Sequence, residues 1–350
     1  MKIAIIGYGG IGSYHAKQLE QFSSKGGELQ LAGIYDIDSA RMKIAQQNGL
    51  CTYSSAEEIW RDKDISAVLI AVPNDVHAFY VEAAAAAKKN IICEKPTGLS
   101  LREAEEMYSS AEKAGVLFEV HQNRRWDDDF LTVKGIFGGN MIGNVYKIES
   151  RVTGANGIPG DWRKKKAQGG GMMLDWGVHL IDQMLQMIPG KIESLYCEYS
   201  YIYGEEVDDG CDLVVNFENG IKYRITVMTD CFRRLPRWQV YGTDGTATVE
   251  DWDLTGGITR ALERQDKNLI GVKAGNGFTR TMAQRSADSV EKLSLPVVHA
   301  DSFAFYKNFV AAVKGKTEAA IRREEVLRVF RVMEAAARSA SKNEVIKEII

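Results

Sequence analysis

The chain has 350 residues, 44 of them basic and 47 acidic, for a formal net charge of −3, so no electrostatic surplus points to nucleic acid or to an anionic membrane surface. A hydrophobic share of 45% and a charged share of 26% are those of a globular protein long enough for two cores, and no apolar run of about 18 residues is present to cross a bilayer. Five scattered cysteines (Cys51, Cys93, Cys197, Cys211, Cys231) lack CxxC spacing, and Met1-Lys2 runs straight into Ile3-Ala4-Ile5-Ile6 with no leader pattern, so a reducing cytoplasm is expected rather than a disulfide framework or a zinc site.

In chain order, Lys2–Ile6, Leu29–Tyr35, Ala67–Val72, Asn90–Cys93 and Val116–Val120 are short apolar runs that read as buried strands. Between them Gly12–Phe22, Ser39–Asn48, Ala56–Asp62, Val76–Lys88 and Ser100–Ala114 read as helices. Such alternation predicts an α/β unit with a doubly wound parallel sheet over residues 1–122. The pattern then changes. Val145–Thr153, Ile192–Tyr203, Cys211–Phe217, Ile221–Thr229, Trp238–Gly242 and Thr246–Glu250 read as successive strands, with Asn219-Gly220 as a tight hairpin turn. Residues 123–350 are therefore expected to form an α+β domain on a large, open-faced, mostly antiparallel sheet. Residues 252–300 are Gly-rich and show no clear element. Ser302–Lys314 and Arg323–Ala340 close the chain as helices near the interdomain cleft, the second with Leu327, Phe330, Met333 and Ala337 on one stripe.

Gly7-Tyr8-Gly9-Gly10-Ile11-Gly12 follows the first strand and opens a helix. In that context a GxGxxG turn offers backbone N–H groups and a helix N-terminus to a pyrophosphate. Asp36 ends the second strand, where its carboxylate would accept the adenosine ribose hydroxyls and repel a 2′-phosphate. Ile37 and Asp38 beside it bring no cation, and Arg41 is a distant exception. NAD is expected over NADP.

Two further motifs carry chemistry. Cys93-Glu94-Lys95-Pro96 sits where an apolar strand ends, the edge at which open α/β sheets bind ligands. Gly169-Gly170-Gly171 precedes Met172-Met173-Leu174-Asp175-Trp176-Gly177-Val178-His179. The glycines permit close approach of another molecule, and on a helix Asp175 and His179 share one face with Cβ atoms about 5–6 Å apart. A carboxylate and an imidazole so placed can hold and deprotonate a hydroxyl. Beside a dinucleotide site, that chemistry is alcohol oxidation.

Taken together, the GxGxxG start, Val72-Pro73-Asn74-Asp75-Val76-His77, Glu94-Lys95-Pro96 and GGGxxxDxGxHxxD resemble the glucose-fructose oxidoreductase/inositol dehydrogenase (Gfo/Idh/MocA) family over the whole chain. The resemblance implies Lys95, Asp175 and His179 as the catalytic set. It implies cofactor contacts at the glycine loop, Asp36, Ile37, Val72, Pro73, Asn74, His77, Glu94, Lys95 and Gln122, and at Trp162 and Arg163, which resemble a pair that many members place against nicotinamide and substrate. Lys95, Asn123, Arg125, Trp162, Asp175 and His179 would meet the substrate. The resemblance also implies a homo-oligomer, dimer or tetramer, joined through the open sheet. Thr97-Gly98 stands where many members carry a larger aliphatic residue, which bears on pocket shape.

The expected roles are His179 as base and Lys95 as the positive donor to a developing alkoxide. Asp175 would orient His179 or Lys95, or grip a substrate hydroxyl. A secondary alcohol of a sugar, inositol or glycoside is the expected substrate, while Arg125 and Arg163 keep a carboxylic acid open. Two other readings stand beside this: a redox-neutral lyase or glycosidase using transient oxidation of a sugar carbon, and an NAD-binding sensor or regulator. Of the remaining histidines, His15 and His299 read as solvated or capping, and His121 as either structural or catalytic; no pair has metal-ligand spacing, so no metal is expected. Asp127-Asp128-Asp129 reads as a helix cap or as sugar-hydroxyl acceptors, and Lys164-Lys165-Lys166 as a solvated loop or the pocket's flank.

Overall fold

Strands β1 (Lys2–Ile6), β2 (Gln30–Tyr35), β3 (Ile65–Ile70), β4 (Asn90–Cys93) and β5 (Phe118–Val120) pair in parallel in the order β2-β1-β3-β4-β5. Ile3, Ala4, Ile5, Val68, Leu69, Ile91 and Ile92 are all buried irrespective of alternation, as strands covered on both faces require. The connections are α1 (Gly10–Ser24), α2 (Ser39–Gln47), α3 (Ala56–Arg61), α4 (His77–Ala86) and α5 (Leu101–Ala114). Ser100 caps α5 by accepting the Glu103 N–H, and Gly115 ends it at φ 69°, a conformation that costs glycine little. The third strand stops at Ile70, two residues before the expected Val72, which frees Ala71 and Val72 to shape the sheet's carboxyl edge. The computed structural model describes residues 1–263 and 270–350; residues 264–269, part of the stretch left unassigned above, lie outside the described residues.

The second unit holds α6 (Asp128–Gly138), β6 (Val145–Thr153), α7 (Val178–Met187), β7 (Ile192–Ser200), β8 (Gly210–Phe217), β9 (Lys222–Met228), β10 (Trp238–Gly242), β11 (Gly245–Val249) and β12 (Gly256–Ala261). A small hairpin follows, β13 (Val272–Ala274) with β14 (Gly277–Thr279), then β15 (Val290–Leu293), α8 (Ala304–Val313) and α9 (Arg323–Lys342). The eight-stranded sheet runs β15-β12-β11-β10-β6-β9-β8-β7. All neighbours are antiparallel except the parallel pair β6 and β9. In β8, Cys211, Leu213, Val215 and Phe217 are buried while Asp212, Val214 and Asn216 are half-buried, the alternation of a sheet packed on one face.

Core membership does not follow chain order. Phe303, Phe305, Tyr306, Phe309 and Val310, on and beside α8, join the core of the parallel sheet. Helix α9 serves both cores: Val326, Leu327 and Phe330 pack with the first, and Val329, Val332, Met333, Ala335 and Ala336 with the second. Its apolar surface is thus wider than the expected stripe, and Ala337 is exposed rather than part of it. A helix gripped from two sides buries adjacent faces, which a single-stripe reading misses.

Glu119 on β5 sits at this junction. One carboxyl oxygen accepts the Ile321 N–H at 3.1 Å, and the other has no partner among the described residues. Burial pushes the carboxyl up to about 7 from an ordinary 4.5, against the pull of the Ile321 amide and Arg125. The folded state therefore binds the proton more tightly than the unfolded chain between those values, so stability falls as pH rises through that window. Glu119→Gln keeps the acceptor for Ile321 and removes the titration. Above pH 7 it should stabilise the protein by about 1–3 kcal/mol, with little gain on the acid side, as chemical denaturation across pH will show.

Candidate active site

A cleft of about 520 Å³ opens along the carboxyl ends of β1, β3, β4 and β5 and is closed on its far side by the segment leading into α7. It lies at the point where strand order reverses, between β1 and β3, the usual crevice for a ligand in this sheet type. Gly9, Gly10 and Ile11 form one end. Gly7 has φ 96°, and a Cβ there would stand 2.3 Å from the Ala71 carbonyl oxygen; one on Gly12 would stand 2.0 Å from that of Gly7. The loop folds this tightly only without those side chains. Asp36 braces it: Oδ2 accepts the Tyr8 N–H at 2.6 Å and Oδ1 the Asp38 N–H at 2.8 Å. Ile37 beside it is 83% exposed. Arg41, expected to be distant, lines the cleft with its guanidinium against Gly9 and 3.7 Å from Asp38.

At the other end the chemistry-bearing side chains meet. Lys95 leaves β4 and its Nζ donates to both the carbonyl and Oδ1 of Asp175, each at 2.9 Å. Asp175 Oδ2 accepts Arg163 Nε at 3.0 Å, and Arg163 is held in turn by Asp161 at 2.9 Å. Burial opposes the Asp175 carboxylate, yet Lys95 and Arg163 hold its pKa below the ordinary value. The helix expected through Asp175 and His179 is a π-helical turn over Met173–Gly177 before α7 begins, a local widening found often at functional sites. Lys95 also reaches the Asp175 carbonyl within this turn. Asp175 therefore orients Lys95, and no hydrogen bond joins it to His179 among the described residues.

His179 lines the cleft while its Nδ1 is buried without a partner among the described residues, leaving Nε2 as the nitrogen that faces the cleft. Burial, then Lys95 and Arg124, hold its pKa well below the usual histidine range. The imidazole is neutral, as a proton acceptor must be. Trp162, stacked on Arg163 at 4.5 Å, and Trp176, 6.1 Å from the His179 ring, add aromatic faces.

Other expected residues have different places. Val72, Pro73, Asn74, Glu94 and Asn123 line the cleft, and Asn74 also ties the two units by donating to the Gly169 carbonyl at 3.0 Å. His77 is buried away from it, its ring nitrogens 2.9 Å and 3.0 Å from the carbonyl oxygens of Pro96 and Val72, so it fixes two cleft-edge loops instead of lining the wall. Gln122 is buried behind β5. The three glycines meet the protein itself, not a guest: a Cβ on Gly170 would stand 2.2 Å from the Arg163 carbonyl oxygen.

Arg125 is a correction. Its guanidinium is buried and doubly bonded to Asp182 at 2.6 and 2.8 Å, with Glu325 on α9 at 2.8 Å. The turn Asn123–Trp126 is a 3-10 turn and presents Arg124, one residue earlier, to the cleft. Arg124 lies 4.3 Å from the Trp176 ring and 5.0 Å from that of Trp252. Arg124, Trp176, Arg41 and Asp161 also line the cleft, Trp176 from inside the Asp175–His179 motif and Arg124 from the position beside Arg125. The Asp127-Asp128-Asp129 run makes no side-chain cap for α6. Asp127 accepts from Arg124, Asp128 from His299 and the Ala300 N–H, and buried Asp129 from Trp238. His15, expected to be solvated or capping, is fully buried; it meets Glu94 and Tyr306, and Glu94 also meets His121.

Residues 1–122 match a family model described as "Oxidoreductase family, NAD-binding Rossmann fold", and residues 130–248 match the GFO/IDH/MocA C-terminal domain. A crystal structure of an NAD-binding protein from Listeria innocua is 42% identical, with a TM-score of 0.94 over 99% of each chain. The scyllo-inositol 2-dehydrogenase (NADP(+)) IolW of Bacillus subtilis is 24% identical over 99% of this chain and 95% of its own. The myo-inositol 2-dehydrogenase of Thermotoga maritima is 28% identical over 63% of this chain and 66% of its own.

The two neighbouring arginines separate by experiment. Arg125→Ala leaves Asp182 buried and unpaired, and should cost about 3–5 kcal/mol of stability with dinucleotide affinity little changed. Arg124→Ala should cost less stability than Arg125→Ala and should raise the His179 pKa. Denaturation curves and cofactor titrations of both variants check the assignment; a stable Arg125→Ala protein that fails to bind ligand would return Arg125 to the site.

Proposed function

The chain belongs to the GFO/IDH/MocA family of NAD(P)-dependent oxidoreductases, and from that premise we propose that it oxidises a secondary alcohol of a sugar, inositol or glycoside with NAD. The observation that carries this reading is the convergence of Lys95, Asp175 and a neutral His179 on the cleft that the glycine loop opens. The loop's tight approach to Ala71 and the carboxylate of Asp36 at its end fit a dinucleotide. When bound, the nicotinamide supplies the hydride acceptor. His179 Nε2 takes the hydroxyl proton, Lys95 meets the negative charge that grows on the carbinol oxygen, and Asp175 fixes Lys95 in place. Trp162 and Trp176 offer faces for the C–H side of a polyol ring. Two relatives are named as inositol 2-dehydrogenases and another as a 1,5-anhydro-D-fructose reductase. A carboxylic acid fits less well, because Arg125 is consumed by Asp182 and Arg163 by two aspartates. In this reading the domains divide near residue 122 and the protein is a cytoplasmic homo-oligomer joined through the open face of the larger sheet, whose half-buried polar residues leave it free to pair.

For the cofactor, the charge on Asp36 disfavours a 2′-phosphate, whereas Arg41 is half-exposed and shared with Asp38. NAD should bind more tightly than NADP, and Asp36→Ser should narrow the gap. A wild type that prefers NADP in titration overturns the assignment, and Arg41→Ala then shows whether Arg41 is the cause.

For catalysis, His179→Ala should lower kcat by about 10²–10⁴-fold with NAD affinity intact. Asp175→Asn should fall mainly on kcat, since its partner is Lys95 and not the substrate. Because burial, Lys95 and Arg124 lower the His179 pKa, the base stays neutral below the ordinary 6.5, and kcat/KM should fall only as pH drops through the lowered value. A screen of sugars, inositols and glycosides followed at the NADH absorbance, then a pH–rate profile on the substrate found, tests all three. Wild-type turnover by His179→Ala would remove His179 from the mechanism.

A further inference from the structure

Behind the cleft wall lies a group of buried titratable side chains that the reaction as described does not use. Glu94 follows β4, His121 follows β5 and His15 is on α1; all three are nearly or fully buried. Glu94 Oε1 is 2.7 Å from His15 Nε2 and 2.7 Å from His121 Nδ1. His15 Nδ1 is 2.6 Å from the Tyr306 hydroxyl on α8. Glu94 lines the cleft. His121 lines a second cavity, of about 370 Å³, with Tyr14, Asp127, Asp128, Asp301 and Tyr306. The group therefore stands between two cavities, with one member on each.

Hydrogen-bond bookkeeping assigns the two histidines different states. Both nitrogens of His15 are engaged: Nε2–H donates to Glu94 and Nδ1 accepts from Tyr306. Burial, then the neighbouring His121, lower its pKa, so it stays neutral and fixed. His121 donates from Nδ1 to Glu94, while its Nε2 has no partner among the described residues. Burial opposes the Glu94 carboxylate, but His121 and His15 hold its pKa well below the ordinary range. The groups facing His121 are Glu94, His15 at 4.6 Å between rings, and Tyr306 at 6.4 Å; Asp127, Asp128 and Asp301 share its cavity.

We propose that Glu94 and His121 form a proton conduit linking the catalytic cleft to the second cavity, with His15 and Tyr306 as the fixed frame that aims Glu94. The proposal rests on the dehydrogenase reading, in which each turnover releases or consumes one proton at His179, a residue only 4% exposed. In reduction, cavity water protonates His121 Nε2, the Nδ1–H bond breaks as its proton passes to Glu94 Oε1, and Glu94 releases that proton into the cleft. The imidazole, left with a proton on Nε2, is reset by a turn of its ring that brings Nδ1 to cavity water, where Nδ1 takes a proton and Nε2 gives one up before the ring turns back. Oxidation runs the same transfers backwards, with one proton moved and no electrons. Acid side chains around the outer cavity favour the emerging proton. The ligating atoms of Glu94, His15 and His121 lie within 4.8 Å of one another, yet 2.7 Å from each nitrogen to one oxygen is hydrogen-bond spacing. A zinc ion at about 2 Å from each would spread them.

The test has two arms. In the full chain with NAD bound, nitrogen NMR of labelled histidine should show the His121 ring exchanging between its two tautomers while His15 stays neutral in one, and Glu94→Gln should stop the His121 exchange. A His121 locked in one neutral tautomer across the pH range overturns the proposal, as does a stoichiometric metal that His121→Asn removes. On the substrate found by the NADH screen, His121→Asn should lower kcat at least about tenfold in weak buffer, raise the solvent deuterium isotope effect, and recover on adding imidazole, with KM and NAD affinity little changed. A folded His121→Asn enzyme within about twofold of wild-type kcat, or one slowed without rescue, overturns the conduit. If wild type forms NADH from no polyol, the dehydrogenase reading fails alone, and the spectra still decide whether His121 and Glu94 exchange a proton.

Discussion

The ion pair between Lys95 and Asp175, 2.9 Å long, joins the two halves of the molecule across the cleft. Lys95 extends from the parallel sheet and Asp175 from the turn before α7, so neither half holds the pair alone. It continues outward as a line of alternating charge, Lys95 to Asp175 to Arg163 to Asp161. Partly buried carboxylates persist in such a setting only with cations beside them, and the two inner members, Asp175 and Arg163, each have a charged partner on both sides. The surrounding features keep the ends in register: the Asn74 bond to Gly169, the glycines packed against Arg163, and His77 holding the Val72 and Pro96 carbonyls.

The far wall is stiffened differently. Trp176, Arg124, Trp252, Arg237 and Trp238 alternate as rings and guanidinium groups, with 4.3, 5.0, 4.5 and 4.6 Å between successive members. Cation–π contacts of this kind strengthen where water is excluded, and Arg237 is buried beside Asp129. The stack runs from the cleft to the interior of the larger sheet. Trp176, at the cleft end of the stack, is therefore anchored in a core.

Much of this was legible in the sequence, and the exceptions have physical causes. Strand and helix periods, the glycine turn and the Glu94-Lys95-Pro96 and Asp175–His179 motifs are local patterns, and they mark the cleft correctly. The failures begin where tertiary packing decides. A 3-10 turn exchanged the roles of Arg124 and Arg125, and a one-residue slip is invisible without the turn's geometry. The sequence left Asp175 open to His179, Lys95 or substrate, and the structure pairs it with Lys95 from a π-helical turn. The partners His15, Glu94 and His121 stand 79 and 27 residues apart, so no spacing rule could unite them. Helix α8 packs on the parallel sheet, which its sequence does not show, because apolar periodicity reports that a face is buried, not which core buries it.

That last feature bears on the order in which the molecule is made. Phe303 to Val310 and the first turns of α9 complete the core of the parallel sheet, yet they are synthesised only after the whole of the larger sheet. As the chain leaves the ribosome, the nucleotide-binding half has its strands and helices but keeps an apolar flank open to water until nearly everything after it has followed. Such a flank is a natural binding surface for a chaperone and a risk for aggregation. Folding of the first half is therefore finished by residues made after the second sheet, and a ribosome that stalls before Phe303 releases a protein whose cofactor-binding sheet, though fully translated, has nothing to close it.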